Sequence, residues 1–206
     1  SVVTLELLKN NRQVTPMVIN SRKATTECIE ISGFNMVDCI EINRTIDPLL
    51  LDLNNKGFLN GHTPFSALLA FVSLLAGVLA RKKNIALSNE TSANETTVIG
   101  QDINHQYSKS FEFETDFREY VASYISPDLN YFSFLRPLHE IQIASLFSKF
   151  PKYFKAFRSC NAGSKKDVWC CDCAKCLFTY IILSPFISTE ELMKIYGENL
   201  LDKPSL

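Results

Sequence analysis

The chain has 206 residues, 46% of them hydrophobic and 21% charged, with 21 basic against 22 acidic side chains and a formal net charge of -1. This is the composition of one globular domain with a sizeable core; it excludes a disordered tail, a collagen-like repeat and a short disulfide knot. The near-neutral balance leaves no field able to hold a phosphate backbone by charge alone, so broad nucleic-acid binding is not expected.

Apolar side chains at helical spacing begin at once in Ser1-Val2-Val3-Thr4-Leu5-Glu6-Leu7-Leu8-Lys9, predicting a helix with no strand or turn ahead of it. Pro16-Met17-Val18-Ile19-Asn20 reads as a short buried strand, followed by a helix near Arg22 to Ile31 and a second strand around Asp38 to Ile42. Thr63-Pro64 marks a helix start, a Thr N-cap with Pro at the first helical position, and that helix is predicted to run to about Lys83. Its apolar run, Phe65 to Ala80, is broken by Ser66, Ser73 and Gly77 and falls short of the roughly 20 residues needed to cross a bilayer, so it reads as a buried core helix and no membrane span is expected. Asn84 to Ser88 forms a third strand, and Phe113 to Ile125 and Leu138 to Phe150 have helical spacing, the second ended by Pro151. A helix from about Ala174 to Ile182, the breaker Ser184-Pro185 and a last helix opened by the capping box Ser188-x-x-Glu191 complete the chain. The alternation predicts an α/β fold with a parallel sheet covered on both faces, in which polar loops at strand C-termini carry the chemistry.

Seven glycines, at 33, 57, 61, 77, 100, 163 and 197, form no G-x-G-x-x-G and no Walker loop, so any nucleotide site within these residues is incomplete. Of seven cysteines, Cys28 and Cys39 stand alone while Cys160, Cys170, Cys171, Cys173 and Cys176 crowd together. An odd count, short spacings and no secretory signal point to a reducing compartment and a metal, with the cytoplasm as the expected location. Cys160-x9-Cys170-x2-Cys173-x2-Cys176 offers four thiolates able to wrap one Zn2+ in a closed structural site; Cys171 is the spare. Lys165-Lys166, the basic pair inside that loop, lends weak support to a nucleic-acid knuckle.

The longest polar segment, residues 90–110, and its flanks combine Glu90, Glu112 and Glu114 with His105, Lys109, amides and hydroxyls, a mixture able to hold a polar ligand and move a proton; it is equally compatible with plain solvated loops. Arg136, in Leu135-Arg136-Pro137-Leu138, lies near a turn where it could clamp phosphate or carboxylate or be satisfied by backbone carbonyls, with His139 capping locally. His62 precedes the Thr63 cap, facing a ligand or packing on the helix entry.

The succession Gly61-His62-Thr63-Pro64, Ser88-Asn89-Glu90 with Ser92-Ala93-Asn94, Asn104-His105-Gln106 with Ser108-Lys109-Ser110 and Phe113-Glu114, Arg136-Pro137-Leu138, Ser159-Cys160-Asn161 and Trp169-Cys170-x2-Cys173-x-Lys175-Cys176 resembles the UDP-N-acetylmuramoyl-L-alanyl-L-glutamate epimerase family over most of the chain. More broadly it is similar to the PP-loop ATP pyrophosphatases, 7-cyano-7-deazaguanine synthase in particular. The resemblance implies a Rossmann-like parallel sheet of the adenine nucleotide alpha hydrolase type over residues 1–150, with the four-cysteine zinc loop and C-terminal helices, residues 151–206, packed on the same domain. Two departures stand out: the family's Gly-rich loop ending in Lys-Asp-Ser is absent, and Cys171 stands where relatives tend to carry Gly. The first departure implies that the chain is a fragment, inactive alone, with Ser1 as the loop's last residue and the first strand lying upstream.

The activity implied is ATP-dependent epimerisation of the terminal L-glutamate of UDP-N-acetylmuramoyl-L-alanyl-L-glutamate to D-glutamate, a step of peptidoglycan precursor synthesis and cell wall biogenesis. An acyl-adenylate makes the α-carbon acidic enough for a base to remove its proton and return it on the other face, releasing AMP and pyrophosphate. His105 and Glu90 are then the acid/base candidates. Ser1, His62, Ser88, Asn89, Asn94, Asn104, Gln106, Ser108, Lys109, Ser110, Glu114 and Arg136 are the candidates for binding substrate or ATP, and ATP, Mg2+ and structural Zn2+ are the expected cofactors. The expected partners are the nucleotide-linked peptide and, through an exposed strand edge, a second copy in a homodimer. Competing readings are a PP-loop synthase modifying a 7-deazapurine or tRNA base, and a non-enzymatic zinc-stabilised binding module.

Overall fold

A computed structural model describes residues 1–10, 13–59, 64–96, 98, 100–101, 103–160, 162–163 and 166–205. Along these residues run α1 (Val2–Leu8), β1 (Met17–Ile19), α2 (Lys23–Ser32), β2 (Ile40–Ile42), α3 (Pro48–Asn55), α4 (Phe65–Leu79), β3 (Asn84–Leu87), α5 (Phe111–Tyr124), β4 (Asn130–Ser133), α6 (Glu140–Phe147), α7 (Ala174–Leu183) and α8 (Thr189–Tyr196). The fold is mixed α/β, and the strand pairing is parallel as expected, in two small sheets: β1 pairs with β2, Met17 opposite Ile40, and β3 pairs with β4, Asn84 opposite Asn130 and Leu87 opposite Ser133. No described helix is long and apolar enough to cross a membrane.

The chain divides into two compact units, one of residues 17–20 and 40–134, the other of residues 1–16, 21–39 and 135–206. The first unit is built on Ala70 and Leu74 of α4, Phe117 and Val121 of α5 and Tyr131 of β4, with Ile85, Leu87, Phe113 and Leu129 packed against them. Gly77 lets β3 come close, because a Cβ there would lie 3.3 Å from the Lys82 carbonyl and 3.4 Å from Ile85 Cδ1. The helix predicted to reach Lys83 closes at Leu79. Arg81 enters the left-handed region at φ 55 and Lys82 N–H turns back to the Gly77 carbonyl, the bond of a Schellman C-cap. Thr63, expected as the N-cap of α4, lies outside the described residues with Gly61 and His62; Pro64 occupies the cap position. Two elements not anticipated from the sequence are α3, capped by Asp47 through Leu49 N–H at 2.8 Å, and β4.

In the second unit, the ring pairs Phe147–Phe157, Phe157–Trp169, Trp169–Tyr196 and Tyr180–Tyr196 form an unbroken aromatic run with centroids 4.6–5.2 Å apart. Such pairs add about 0.5–1.5 kcal/mol each beyond burial. Glu6 of α1 is buried beneath Lys9 and Lys152, both 2.8 Å from Oε1, and also accepts the Tyr153 hydroxyl.

Candidate active-site loops and metal centre

The C-terminal ends of β3 and β4 lie side by side, Leu87 opposite Ser133, with Phe134 N–H donating to the Leu87 carbonyl at 2.8 Å. In parallel sheets this edge is where ligands sit, and the loop leaving β3 is tied to it: Asn89 Nδ2 donates to Ser133 Oγ at 3.0 Å. Half-buried Ser88 and Glu90 flank Asn89, and Ser92 Oγ donates to Glu90 Oε1 at 3.4 Å. Short 3-10 turns follow at Thr91–Asn94 and Tyr107–Lys109.

These turns are pinned by side-chain amides spent on backbone. Asn94 Oδ1 accepts Phe111 N–H at 2.6 Å and its Nδ2 donates to the Thr91 carbonyl at 2.9 Å. Asn104 Nδ2 donates to the Ala93 carbonyl at 2.8 Å while its Oδ1 accepts Gln106 N–H at 2.7 Å. Lys109 Nζ donates to Gln106 Oε1 at 2.9 Å, and buried Ser110 caps α5 by accepting Phe113 N–H at 3.1 Å. Tyr107 donates its hydroxyl to Asp116, which raises the phenol above its ordinary pKa. His105 is exposed, and Ser108 and Lys109 are half-buried. Glu114, in the first turn of α5 and only 3% exposed, accepts Ser133 N–H at 3.1 Å and lies 3.8 Å from Arg118.

Ser88, Asn89, Glu90, Asn94, Asn104, His105, Gln106, Ser108, Lys109, Ser110 and Glu114 thus fall in one compact unit. Ser1, ahead of α1, and Arg136, in a turn closed by Leu138 N–H to the Leu135 carbonyl, belong to the other. His62 lies outside the described residues. Ser133 was not among the residues singled out from the sequence, because it ends a strand that alternation did not reveal.

The second unit carries the cysteine centre. The Sγ atoms of Cys160, Cys170, Cys173 and Cys176 all lie within 4.8 Å of one another, with Cys176 Sγ 3.7 Å from that of Cys170 and 3.5 Å from that of Cys173, a donor set able to hold one metal ion. Main-chain N–H groups already point at the sulfurs: Gly163 donates to Cys160 at 3.1 Å, and Asp172 and Cys171 donate to Cys170 and Cys176. Burial raises the Cys160 thiol, but the N–H groups of Gly163 and Cys170 and the neighbouring thiols outweigh it and hold Cys160 down to about 6. Burial above all drives Cys176 up in the absence of a cation. A cluster of thiols that orders backbone donors around its sulfurs suits thiolates bound to a cation.

Gly163 is required by close approach, since a Cβ there would meet the Val168 carbonyl oxygen at 2.1 Å. Cys171 sits in the left-handed region at φ 53, a position that favours glycine. Its Sγ is turned away to donate to the Tyr196 carbonyl at 3.1 Å, and its own carbonyl accepts Lys203 Nζ at 2.7 Å, so it stands outside the ligand set. Asp167, also left-handed at φ 57, sends Oδ1 to the Ala24 N–H at 3.1 Å. That contact caps α2, whose N-cap residue Arg22 makes no side-chain cap bond.

A family model described as the MurL N-terminal domain matches residues 1–134, and one described as the MurL C-terminal domain matches residues 155–206. The chain is 36% identical over 208 residues to a UDP-N-acetyl-alpha-D-muramoyl-L-alanyl-L-glutamate epimerase of Micromonospora sp., covering 98% of this chain and 46% of that protein. It is 35% identical to the protein of the same name in Xanthomonas oryzae pv. oryzae, over 98% of this chain and 46% of the other. It is also 35% identical to the one in Salinispora tropica, over 100% of this chain and 46% of the other. The chain spans about half the length of the curated relatives it matches. No solved structure matches it.

Proposed function

The chain belongs to the MurL family, and from that premise we propose that it forms part of an ATP-dependent isomerase that inverts the terminal L-glutamate of UDP-N-acetylmuramoyl-L-alanyl-L-glutamate in the cytoplasm. The observation that carries this reading is identity of 35–36% over 98–100% of the chain to three relatives bearing that epimerase's name.

In this reading the substrate's α-carboxylate attacks ATP, pyrophosphate leaves, and the α-carbon of the acyl-adenylate loses its proton to a base. The proton returns on the opposite face, and water then cleaves the mixed anhydride to the D-glutamyl product and AMP. His105 and Glu90 serve as acid and base, His105 from an exposed position in the loop and Glu90 from a half-buried one. Lys109 holds phosphate or carboxylate and Asn89 orients the ligand from beside the sheet's C-terminal edge; Arg136, in the other compact unit, is proposed separately as a phosphate or carboxylate contact. The pinned amides of Asn94 and Asn104, together with Gln106 and Ser110, give the loop its shape. Mg2+ enters with the phosphates of ATP.

Two further features of the proposal concern the fold and the metal. The two small parallel sheets are parts of one PP-loop-type sheet, completed by a strand and phosphate-binding loop supplied elsewhere in the family polypeptide, which is about twice as long. The four cysteines hold structural Zn2+: sulfurs about 3.8 Å apart are the edge of a tetrahedron with Zn–S of about 2.3 Å, in keeping with separations of 3.5 and 3.7 Å.

The test is incubation of the complete gene product with ATP, Mg2+ and UDP-N-acetylmuramoyl-L-alanyl-L-glutamate, with assay of AMP and of D-glutamate in acid hydrolysates. Substrate-dependent appearance of both is the expected result. AMP without inversion would move the search to another acid or base substrate, and neither product would remove the epimerase reading.

A further inference from the structure

Among the residues around the site, one polar chain, buried at Glu114 and Ser133 and half-buried at Asn89, runs across the edge of the sheet where the loops gather. Ser133, at the last position of β4 and 6% exposed, is gripped twice: its N–H donates to Oε2 of buried Glu114 at 3.1 Å, and its Oγ accepts Asn89 Nδ2 at 3.0 Å. The strand itself is held in register there, because Phe134 N–H donates to the Leu87 carbonyl, two residues before Asn89. A buried carboxylate costs several kcal/mol to desolvate unless its lone pairs are used. Glu114 offsets part of that cost on the backbone N–H of Ser133, with Arg118 3.8 Å from its other oxygen, and the Ser133 side chain in turn fixes the first amide of the loop leaving β3.

We propose that Ser133 is a positioning residue: Glu114 locks Ser133 and Ser133 locks the Asn89 side chain, so that the amide oxygen of Asn89 is aimed at substrate from a rigid strand end. Asn89 Nδ2 is committed to Ser133, and an amide anchored at its nitrogen presents its oxygen in a fixed direction as an acceptor. The ligand group this orientation suits is a donor, such as the amide N–H of a peptide or the hydroxyl of a sugar. This inference rests on the epimerase reading and specifies one contact within it.

The test uses the complete gene product, with steady-state rates of AMP and D-glutamate formation. Ser133→Ala keeps the N–H to Glu114 and deletes the acceptor for Asn89. The expected result is a loss of about 10- to 100-fold in kcat/KM for the peptide, the scale of a misplaced substrate contact. KM for ATP and the thermal midpoint should stay near wild type, and Ser133→Thr should restore most of the loss. In an Asn89→Ala background the same Ser133→Ala change should cost nothing further in kcat/KM, because the role proposed for the Ser133 side chain runs through Asn89. Should the alanine variant fail to fold, Ser133→Cys keeps the volume with a weak acceptor and must show the same loss.

Wild-type kcat/KM in the folded variant, or costs that simply add in the double variant, would overturn the inference while leaving an active epimerase in place. A wild-type protein forming neither AMP nor D-glutamate would overturn the functional reading and this inference with it.

Discussion

Replacing Glu6 by Gln removes the charge at the centre of the cluster that joins α1 to the segment after α6. Burial raises this carboxyl, but hydrogen bonds from Lys152, Lys9 and Tyr153 outweigh it and bring its pKa from 4.5 to about 2. The Glu6 side chain is only 7% exposed, so solvent screens these contacts weakly. A carboxyl moved by that amount contributes on the order of 3 kcal/mol to folding. Because the folded-state pKa lies below the unfolded one, the contribution is complete above pH 4.5 and drains away as pH falls through 4.5 toward 2. Glu6→Gln should therefore lower stability by about 2–3 kcal/mol at pH 7, and the two proteins should converge near pH 2. Gln keeps an acceptor for Tyr153, which puts the loss at the lower end of that range. The assay is urea unfolding followed by fluorescence of Trp169, the one tryptophan of the chain, which lies in the same compact unit as Glu6. A variant within 0.5 kcal/mol of wild type at pH 7, a threshold set by ordinary surface substitutions of about that size, would refute the reasoning. So would curves that stay parallel down to pH 2.5.

Phe117→Ala opens the core where its ring meets Phe71, Phe113 and Tyr131 at 4.8–5.8 Å, and should cost about 3–5 kcal/mol in chemical unfolding. Cys171→Ser should still bind one metal per chain by elemental analysis, since its sulfur faces the Tyr196 carbonyl. Cys160→Ser should lose about tenfold or more in metal affinity, at least the effect of disturbing a supporting contact. Asp167→Ala strips the cap from α2 and should cost about 1 kcal/mol, read as faster hydrogen exchange at the Ala24 amide.

Several elements could be read from the sequence because their signals are local. Helical spacing gave α1, α2 and α5 to within two residues, and clustered valine and isoleucine gave β1 and β2. The cysteine spacing named all four donors, because a chelating loop is encoded by short separations within one stretch of chain. β4 escaped because Asn130-Tyr131-Phe132-Ser133 is short and its burial comes from α4 and α5, which no window of sequence contains. α3 escaped although Asp47-Pro48 is a good helix opening; Leu49, Leu50 and Leu51 are consecutive and exposed, with only Leu53 half-buried, and give no one-sided stripe. Among the polar residues, composition could suggest a site but could not separate side chains free to meet a ligand from those, such as Asn94 and Asn104, engaged by backbone groups up to 17 positions away.

The cap that Asp167 places on Ala24 joins positions 143 residues apart, and the compact unit around it takes its first helices from one end of the chain and its remainder from the other. On the ribosome, α1 and α2 emerge long before the segment that completes them. At about 5–20 residues per second, roughly 7–30 s pass between synthesis of Ala24 and of Asp167. For most of that interval the first two helices have each other but stand without α6 and the turn at Pro151–Tyr153, against which they pack. The intervening strands and α4 and α5, which form a unit from an almost continuous stretch, are free to fold first. Translation order thus makes α1 and α2 late to settle within their compact unit, and slowing the ribosome after residue 134 would lengthen their exposure to chaperones and to aggregation.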